Sequence, residues 1–413
     1  MPLPDPRSGV DPGAKTHRSG THRTVAPVET VARLLPLMPA MGITRVANVT
    51  GLDRIGLPVV MVTRPNARSI AVSQGKGLDL DAARASGLME AAELHHAERI
   101  GLPLRLGSHD ELRRNHRLVE IEALPRLRDD RFRPDLAMLW IEGRDLISGE
   151  PVWLPYEVVH TNATLPLPPG SGCFAASSNG LASGNHVLEA ITHGICEVIE
   201  RDAGSLWHRR DPAGRARTRL DLGSIDDPAC REVLARLEDA ELRVAVWDVT
   251  SDLGIAAFRC MLLDERRPQA HPGLGAGCHL AREVALLRAL CEAVQVRMTY
   301  ISGARDDLSP DEFTRAAMAE KLRKARALMR HHGPMRDFRD APSREFPTFA
   351  EDVAWLLERL EAAGMREVAV VDLTRPELGP PVVRVVIPGL EAPDDRDDYV
   401  PGPRALAIGE GGR

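Results

Sequence analysis

The chain has 413 residues, 43% of them hydrophobic and 4% aromatic, which is enough for two or three domains or one large mixed unit. That apolar share supports a sizeable core and excludes a disordered chain. The formal charge of −6 offers no basic excess for nucleic acid, no apolar run reaches a membrane span, and the six cysteines form no CxxC pair. A soluble, cytoplasmic protein with no nucleic-acid or membrane partner is expected, since the start also lacks the apolar centre of a signal peptide. Only four of the 53 basic residues are lysines (Lys15, Lys76, Lys321 and Lys324), so the placement of lysine is more informative than that of arginine.

Residues 1–26 are rich in Pro, Gly and His without periodicity, and predict a flexible N-terminal arm. A short helix follows from Pro27 to about Met38. Residues 58–63 and 69–73 read as a hairpin turning at 65–67 and ending in Gly75-Lys76-Gly77. A long helix then runs from Asp79 or Asp81 to about Ile100. Strands near 136–141 and 152–159 precede a Pro/Gly-rich loop at 166–172 and a second long helix at about 185–206. Helix 228–240, strands 243–249 and 255–263, and a third long helix at 279–300 come next. Helices 309–331 and 349–363 and strands 367–373 and 382–387 complete a catalytic unit spanning 27–392. A polar tail, 393–413, carries Asp394, Asp395, Asp397 and Asp398. Hairpins are as frequent as strand–helix alternation, which favours the α+β class.

The chemistry concentrates on the three long helices. Ser86, Glu90 and Glu93 fall at offsets 0, 4 and 7 of the first, and Glu189, His193, Glu197 and Glu200 at 0, 4, 8 and 11 of the second, with Arg201 adjacent. Arg288, Glu292 and Gln295 repeat the pattern on the third. One such stripe is ordinarily a solvated face. Two Glu-x-x-Glu pairs on apolar helices instead suggest four converging carboxylates, tolerable only with bound cations or protonation. Hard oxygen donors in that number suit Mg²⁺ and leave coordination positions for the phosphates of a nucleotide. Lys76, Ser86, Asn185, Arg201 and Arg305 are candidate phosphate donors, and the absence of GxxxxGK[ST] excludes a P-loop. Glu93-Leu-His-His96 is half of a di-iron pattern, but the matching position on the second helix is Glu200 rather than His.

The ordered series SQGKG, SGLMEAAE, SSNGLASGN, EVIERDA, LCEAVQVR and GARDD resembles the YcaO family of ATP-dependent peptide-backbone-modifying enzymes. The resemblance runs from about residue 20 to 390. It implies a YcaO-like fold, antiparallel and mixed sheets packed with long helices around a non-P-loop ATP site. It implies magnesium at Glu90, Glu93, Glu197 and Glu200, and nucleotide contacts at Ser86, Asn185, Arg201 and Arg305, with Lys76, Glu292 and Gln295 beside them. The implied reaction adds a nucleophile to a backbone amide of a ribosomally made peptide and phosphorylates the oxyanion from ATP. Azoline-forming members end in a Pro-x-Pro-x-Pro tail, whereas this chain has Val400-Pro401-Gly402-Pro403 and ten further residues. Gly20-Thr21-His22-Arg23, Gly42-Ile43-Thr44-Arg45 and Thr50-Gly51-Leu52-Asp53-Arg54 are similar to members with a TfuA-type partner, which implies thioamide formation with sulfur delivered by that partner. Azoline formation and a nucleotide-binding accessory role are the alternatives. No catalytic base is assigned, and homodimer assembly is left open.

Overall fold

The computed structural model describes residues 11–267, 270–330, 333–393 and 398–410. Its helices are α1 (Pro27–Leu34), α2 (Leu80–Glu98), α3 (His109–Leu112), α4 (Val187–Arg209), α5 (Pro212–Ala216), α6 (Pro228–Asp239), α7 (Arg282–Ser302), α8 (Arg315–Met329), α9 (Phe349–Ala362) and α10 (Pro403–Glu410). The strands are β1 (Arg45–Asn48), β2 (Val59–Thr63), β3 (Val72–Lys76), β4 (Leu104–Gly107), β5 (Met138–Asp145), β6 (Pro151–Pro155), β7 (Leu181–Ser183), β8 (Arg243–Asp248), β9 (Ala257–Leu263), β10 (Gly273–Cys278), β11 (Ala369–Asp372) and β12 (Val382–Val386). They form two three-stranded sheets, β1-β2-β3 and β10-β9-β8, and a larger sheet ordered β4-β5-β11-β12-β7 with β6 also on β5. Every ladder is antiparallel, which is the α+β arrangement that the hairpins predict.

Each three-stranded sheet ends in a glycine-bearing strand laid against a long helix. A Cβ at Gly75 would lie 1.9 Å from the Ala83 carbonyl oxygen of α2, so β3 touches that helix backbone to backbone. On β10, Gly273, Gly275 and Gly277 face α7, where Cβ atoms would meet the carbonyl oxygens of Ala293, Ala289 and Ala285 at 2.4, 2.1 and 2.1 Å. The remaining long helix, α4, crosses the large sheet: Ile191, Ile195 and Ile199 are fully buried with Val383 and Val385 of β12 and Leu356 and Leu360 of α9. These contacts fix the three helices relative to one another, since apolar burial of this kind contributes roughly 1.5–3 kcal/mol per large side chain.

Several elements differ from the sequence reading. The second hairpin strand lies at 72–76 rather than 69–73, so Lys76 is a strand residue opposite Val59 and not part of an exposed turn. The turn is longer because Glu98 of α2 draws it in, accepting hydrogen bonds from the Ser69 amide at 3.2 Å and from both Arg64 Nη atoms at 3.0 and 2.7 Å. The helix expected at 309–331 divides in two, because Ser309 caps a short turn and Thr314 caps α8. Residues 11–26, expected as part of a flexible arm, are docked: Lys15 Nζ donates to buried Asp352 at 2.7 Å, and Glu189 accepts from the Thr24 amide at 2.9 Å. Helix α10 is likewise anchored, since its Arg404 binds Asp202 of α4 at 3.0 Å. Residues 1–10, Asp394, Asp395, Asp397 and 411–413 lie outside the described residues. Among the described residues no helix is long and apolar enough to cross a membrane.

Candidate active site

Helices α2, α4 and α7 wall a cavity of about 600 Å³. Glu90 and Glu93 enter it from α2, Glu197, Glu200 and Arg201 from α4, and Glu292 and Gln295 from α7, with Ser86, Lys76 and Arg305 completing the set. The heptad-like offsets thus correspond to faces that meet. Asn185 is the exception. It lines an adjoining pocket of about 120 Å³ together with Lys76, Ser86, Arg288 and residues of the docked N-terminal segment. Nor does it cap α4; His186 does, its Nδ1 accepting from the Leu188 amide at 3.2 Å, while Asn185 Oδ1 accepts from Thr30 Oγ1 at 3.1 Å. Glu189 is also diverted from the cavity, being 1% exposed and bound to Arg23 and Thr24.

Lys76 donates to Glu292 Oε2 at 3.1 Å and to Gln295 Oε1 at 2.8 Å, and Gln295 Nε2 donates in turn to the Gln74 carbonyl at 2.9 Å. A lysine inside a strand is held there by a helix that reads its charge. The glycines beside it serve the contact of β3 with α2, not a phosphate loop. Arg288 Nη2 donates to His193 Nε2 at 2.9 Å, and among the described residues its guanidinium makes no ion pair, leaving a positive charge free in the cavity. Ser183 donates to Glu93 through its amide at 2.8 Å and its hydroxyl at 2.6 Å. Sequence reasoning gave no role to Gln74, Ser177 to Asn179 and Ser183, although they lie in the motifs SQGKG and SSNGLASGN, and it missed Tyr300. Arg288 was visible as the first member of the stripe on α7.

Burial dominates the electrostatics. It pushes Glu90 up to about 7 against the pull of Lys76 and Arg305, and Glu93 up to about 8 with help from Glu90 and Glu197. Glu200 rises to about 7 through burial and the Glu292 charge, and Glu197 rises through burial. Glu292 is raised by burial but pulled below the usual carboxylate range by Lys76 and Arg201. Burial thus disfavours the charged form of all four carboxyls, and a divalent cation bound among them would favour it. Among the described residues no three His, Cys, Asp or Glu side chains already close around one point. Mg²⁺ held by carboxylates keeps coordination positions for the phosphates of a nucleotide. The di-iron alternative loses its histidine: His96 is 0% exposed and does not line the cavity that Glu90 and Glu93 enter. The six cysteines are free and buried, and burial raises Cys291 to about 12.

A cavity of acidic helix faces opposed by lysine and arginine, without a P-loop, defines a metal- and nucleotide-binding class. Residues 74–391 match the family model described as YcaO cyclodehydratase, ATP- and Mg²⁺-binding. The chain belongs to the YcaO family, and ATP and Mg²⁺ are its cofactors. An uncharacterized protein in the tfuA 3′ region of Rhizobium leguminosarum bv. trifolii is 35% identical over 89% of this chain and 88% of its own. A heterocyclase in complex with substrate and cofactor aligns with TM-score 0.78 and 26% identity over 95% of this chain; this chain spans 55% of that longer one. The YcaO protein of Methanopyrus kandleri, bound with AMPPCP and Mg²⁺, shares the fold at TM-score 0.73 and 24% identity, over 94% of this chain and all of its own.

Proposed function

We propose that this protein activates a backbone amide of a ribosomally made peptide with ATP and Mg²⁺, and that its product is a thioamide formed with a TfuA-type partner delivering sulfur. The carrying observation is the meeting of Glu90, Glu93, Glu197 and Glu200 in one cavity with Lys76, Arg201, Arg288 and Arg305. ATP with Mg²⁺ supplies the phosphoryl group that lets the amide oxygen leave as phosphate once a nucleophile has added to the carbonyl carbon. The four glutamates hold the metal. Lys76, Arg201, Arg288 and Arg305 orient the phosphates and oppose their charge. Ser183 fixes Glu93, and Gln295 and Glu292 fix Lys76, so the donors need little reorganisation. The smaller pocket with Ser86 and Asn185 receives the nucleoside end, beneath the docked N-terminal segment.

The relative named for the tfuA region supports a TfuA-type partner. Azoline formation is the second reading, favoured by the family model's description and by the heterocyclase likeness. The test is peptide-dependent phosphate release, with the product weighed by mass spectrometry. Glu197→Ala is expected to abolish release, and oxygen-to-sulfur exchange marks the thioamide where loss of water marks the azoline. Equal release by Glu197→Ala and the unaltered protein would remove the metal role.

A further inference from the structure

Beyond Tyr300 the molecule has a second cavity, of about 380 Å³, within the roughly 300–1,000 Å³ range of ligand pockets. Tyr300 lines both this space and the acidic cavity, so the two are neighbours sharing one aromatic side chain. That side chain is fixed: its ring stacks on His271 with centroids 3.3 Å apart, and its hydroxyl donates to Glu312 at 2.9 Å. Lys321 ties the same group together, donating to Glu312 at 2.9 Å and to His271 Nε2 at 3.2 Å.

The walls beyond Tyr300 differ from those of the first cavity. They are formed by Ile301, Phe313, Met318 and Ala319, and two of these, Ile301 at 39% and Phe313 at 44%, are among the large apolar side chains the molecule leaves exposed. Exposed apolar residues scattered singly are ordinary, whereas these two line one concavity. Among the described residues the charged ones lining it are Arg297 and Arg315, with no carboxylate. Arg297 is already paired with Asp264 at 3.0 Å, whereas Arg315 is exposed and makes no ion pair among the described residues. A molecule reaching from the first cavity past Tyr300 would thus meet apolar walls and one free positive charge.

We infer that this second cavity receives a large apolar side chain of the peptide substrate, with an acidic residue beside it in the sequence. The inference rests on the peptide-modifying reading and adds a sequence preference to it. An extended peptide advances about 3.3 Å per residue, so an amide held in the first cavity places a side chain a few residues away within reach of the second. Apolar burial selects the side chain, and Arg315 selects its acidic neighbour.

The test reads binding rather than turnover. The ¹³C-methyl resonance of Met318, assigned with Met318→Leu, is followed as capped peptides Gly-Phe-Asp-Gly, Gly-Ala-Asp-Gly and Gly-Phe-Lys-Gly are added to the full chain. Saturable shifts are expected with the Phe-Asp peptide, at an affinity about tenfold or more above that of the Ala-Asp peptide. Ala319→Trp, on the exposed face of α8, should fill the space and remove the response, and Arg315→Glu should erase the preference for Asp over Lys. Equal responses to Phe and Ala, no saturable shift at millimolar peptide, or indifference to Ala319→Trp would overturn the pocket. Absence of peptide-dependent phosphate release by the unaltered protein would instead overturn the reading beneath it.

Discussion

Lys15 Nζ donates to Asp352 Oδ1 at 2.7 Å across 337 residues of sequence, with the two side chains 1% and 0% exposed. This buried pair joins the N-terminal segment to α9. Burial raises Asp352 to about 6, and Lys15 opposes that rise, so the lysine keeps the carboxylate ionised at neutral pH. Removing one partner of a buried pair costs roughly 3–5 kcal/mol because the other charge is stranded. Lys15→Met is therefore expected to lower the melting temperature at pH 7.5, and Lys15→Met combined with Asp352→Leu to recover much of the loss. Unchanged melting in the single variant would show that the segment is not held by this pair.

Acid should unfold the protein through histidines kept neutral. His160, stacked on Tyr156 at 4.5 Å, is lowered to about 4 by burial and then by Arg384, and His22 is lowered to about 4 by burial and then by Lys15. A depressed histidine binds fewer protons folded than unfolded. Its stability contribution is therefore complete above pH 6.5 and is lost as the pH falls toward 4. The loss approaches about 3 kcal/mol for each group at 1.4 kcal/mol per pH unit. Asp352 works in the opposite sense, since its raised value makes its contribution fall as the pH rises from 3.8 toward 6. Urea unfolding between pH 7 and 4.5 should show the histidine trend, and His160→Gln should flatten it. A variant with an unchanged slope would contradict the assignment.

The helices were legible because their period is written in side chains. Glu90 and Glu93, Glu197 and Glu200, and Glu292 and Gln295 sit at helical offsets, and all of them reach the common cavity. Strand β10, Gly-Leu-Gly-Ala-Gly-Cys, was invisible for the opposite reason: its inward residues are glycines, so no apolar alternation announces it. Lys76 was singled out by its rarity and lines the common cavity, while the glycines beside it serve helix contact. The docked segment 11–26 could not be read at all, because Lys15–Asp352 and Thr24–Glu189 pair residues far apart in sequence. Tyr300 was hidden as well, since what makes it part of the site is the space on either side.

Gly75 tests whether the glycines beside Lys76 serve packing. Its added Cβ would lie 1.9 Å from the Ala83 oxygen and 2.3 Å from the Gly87 nitrogen, both backbone atoms that cannot swing away. Gly75→Ala is expected to cost about 3 kcal/mol or more, at the upper end of overpacking penalties. Gly51, where an added Cβ would meet nothing within 4 Å, is the control, and Gly51→Ala should change stability by about 0.5 kcal/mol or less. If Gly75→Ala kept full stability and lost only nucleotide affinity, the glycine would serve the nucleotide and not the packing.

Lys76 offers the sharpest separation of binding from structure. Its Nζ is shared between Glu292 and Gln295, 20% of the side chain is exposed, and it lines both the acidic cavity and the smaller pocket beside it. Lys76→Ala should weaken Mg²⁺–AMPPCP binding by about 10- to 100-fold, the worth of a charge-assisted hydrogen bond, as measured by calorimetry. The same change strands the Glu292 carboxylate, whose low position depends chiefly on Lys76 once burial is overcome. Adding Glu292→Gln removes that stranded charge and should restore the melting temperature. Nucleotide affinity should stay low in the double variant, because neutralising Glu292 supplies no donor to a phosphate. Lys76→Arg should not rescue binding either, since a planar fork cannot occupy the point held by the ammonium between Glu292 and Gln295. Recovery of affinity along with stability in the double variant would make Lys76 a structural counter-charge and leave the phosphates to Arg201, Arg288 and Arg305.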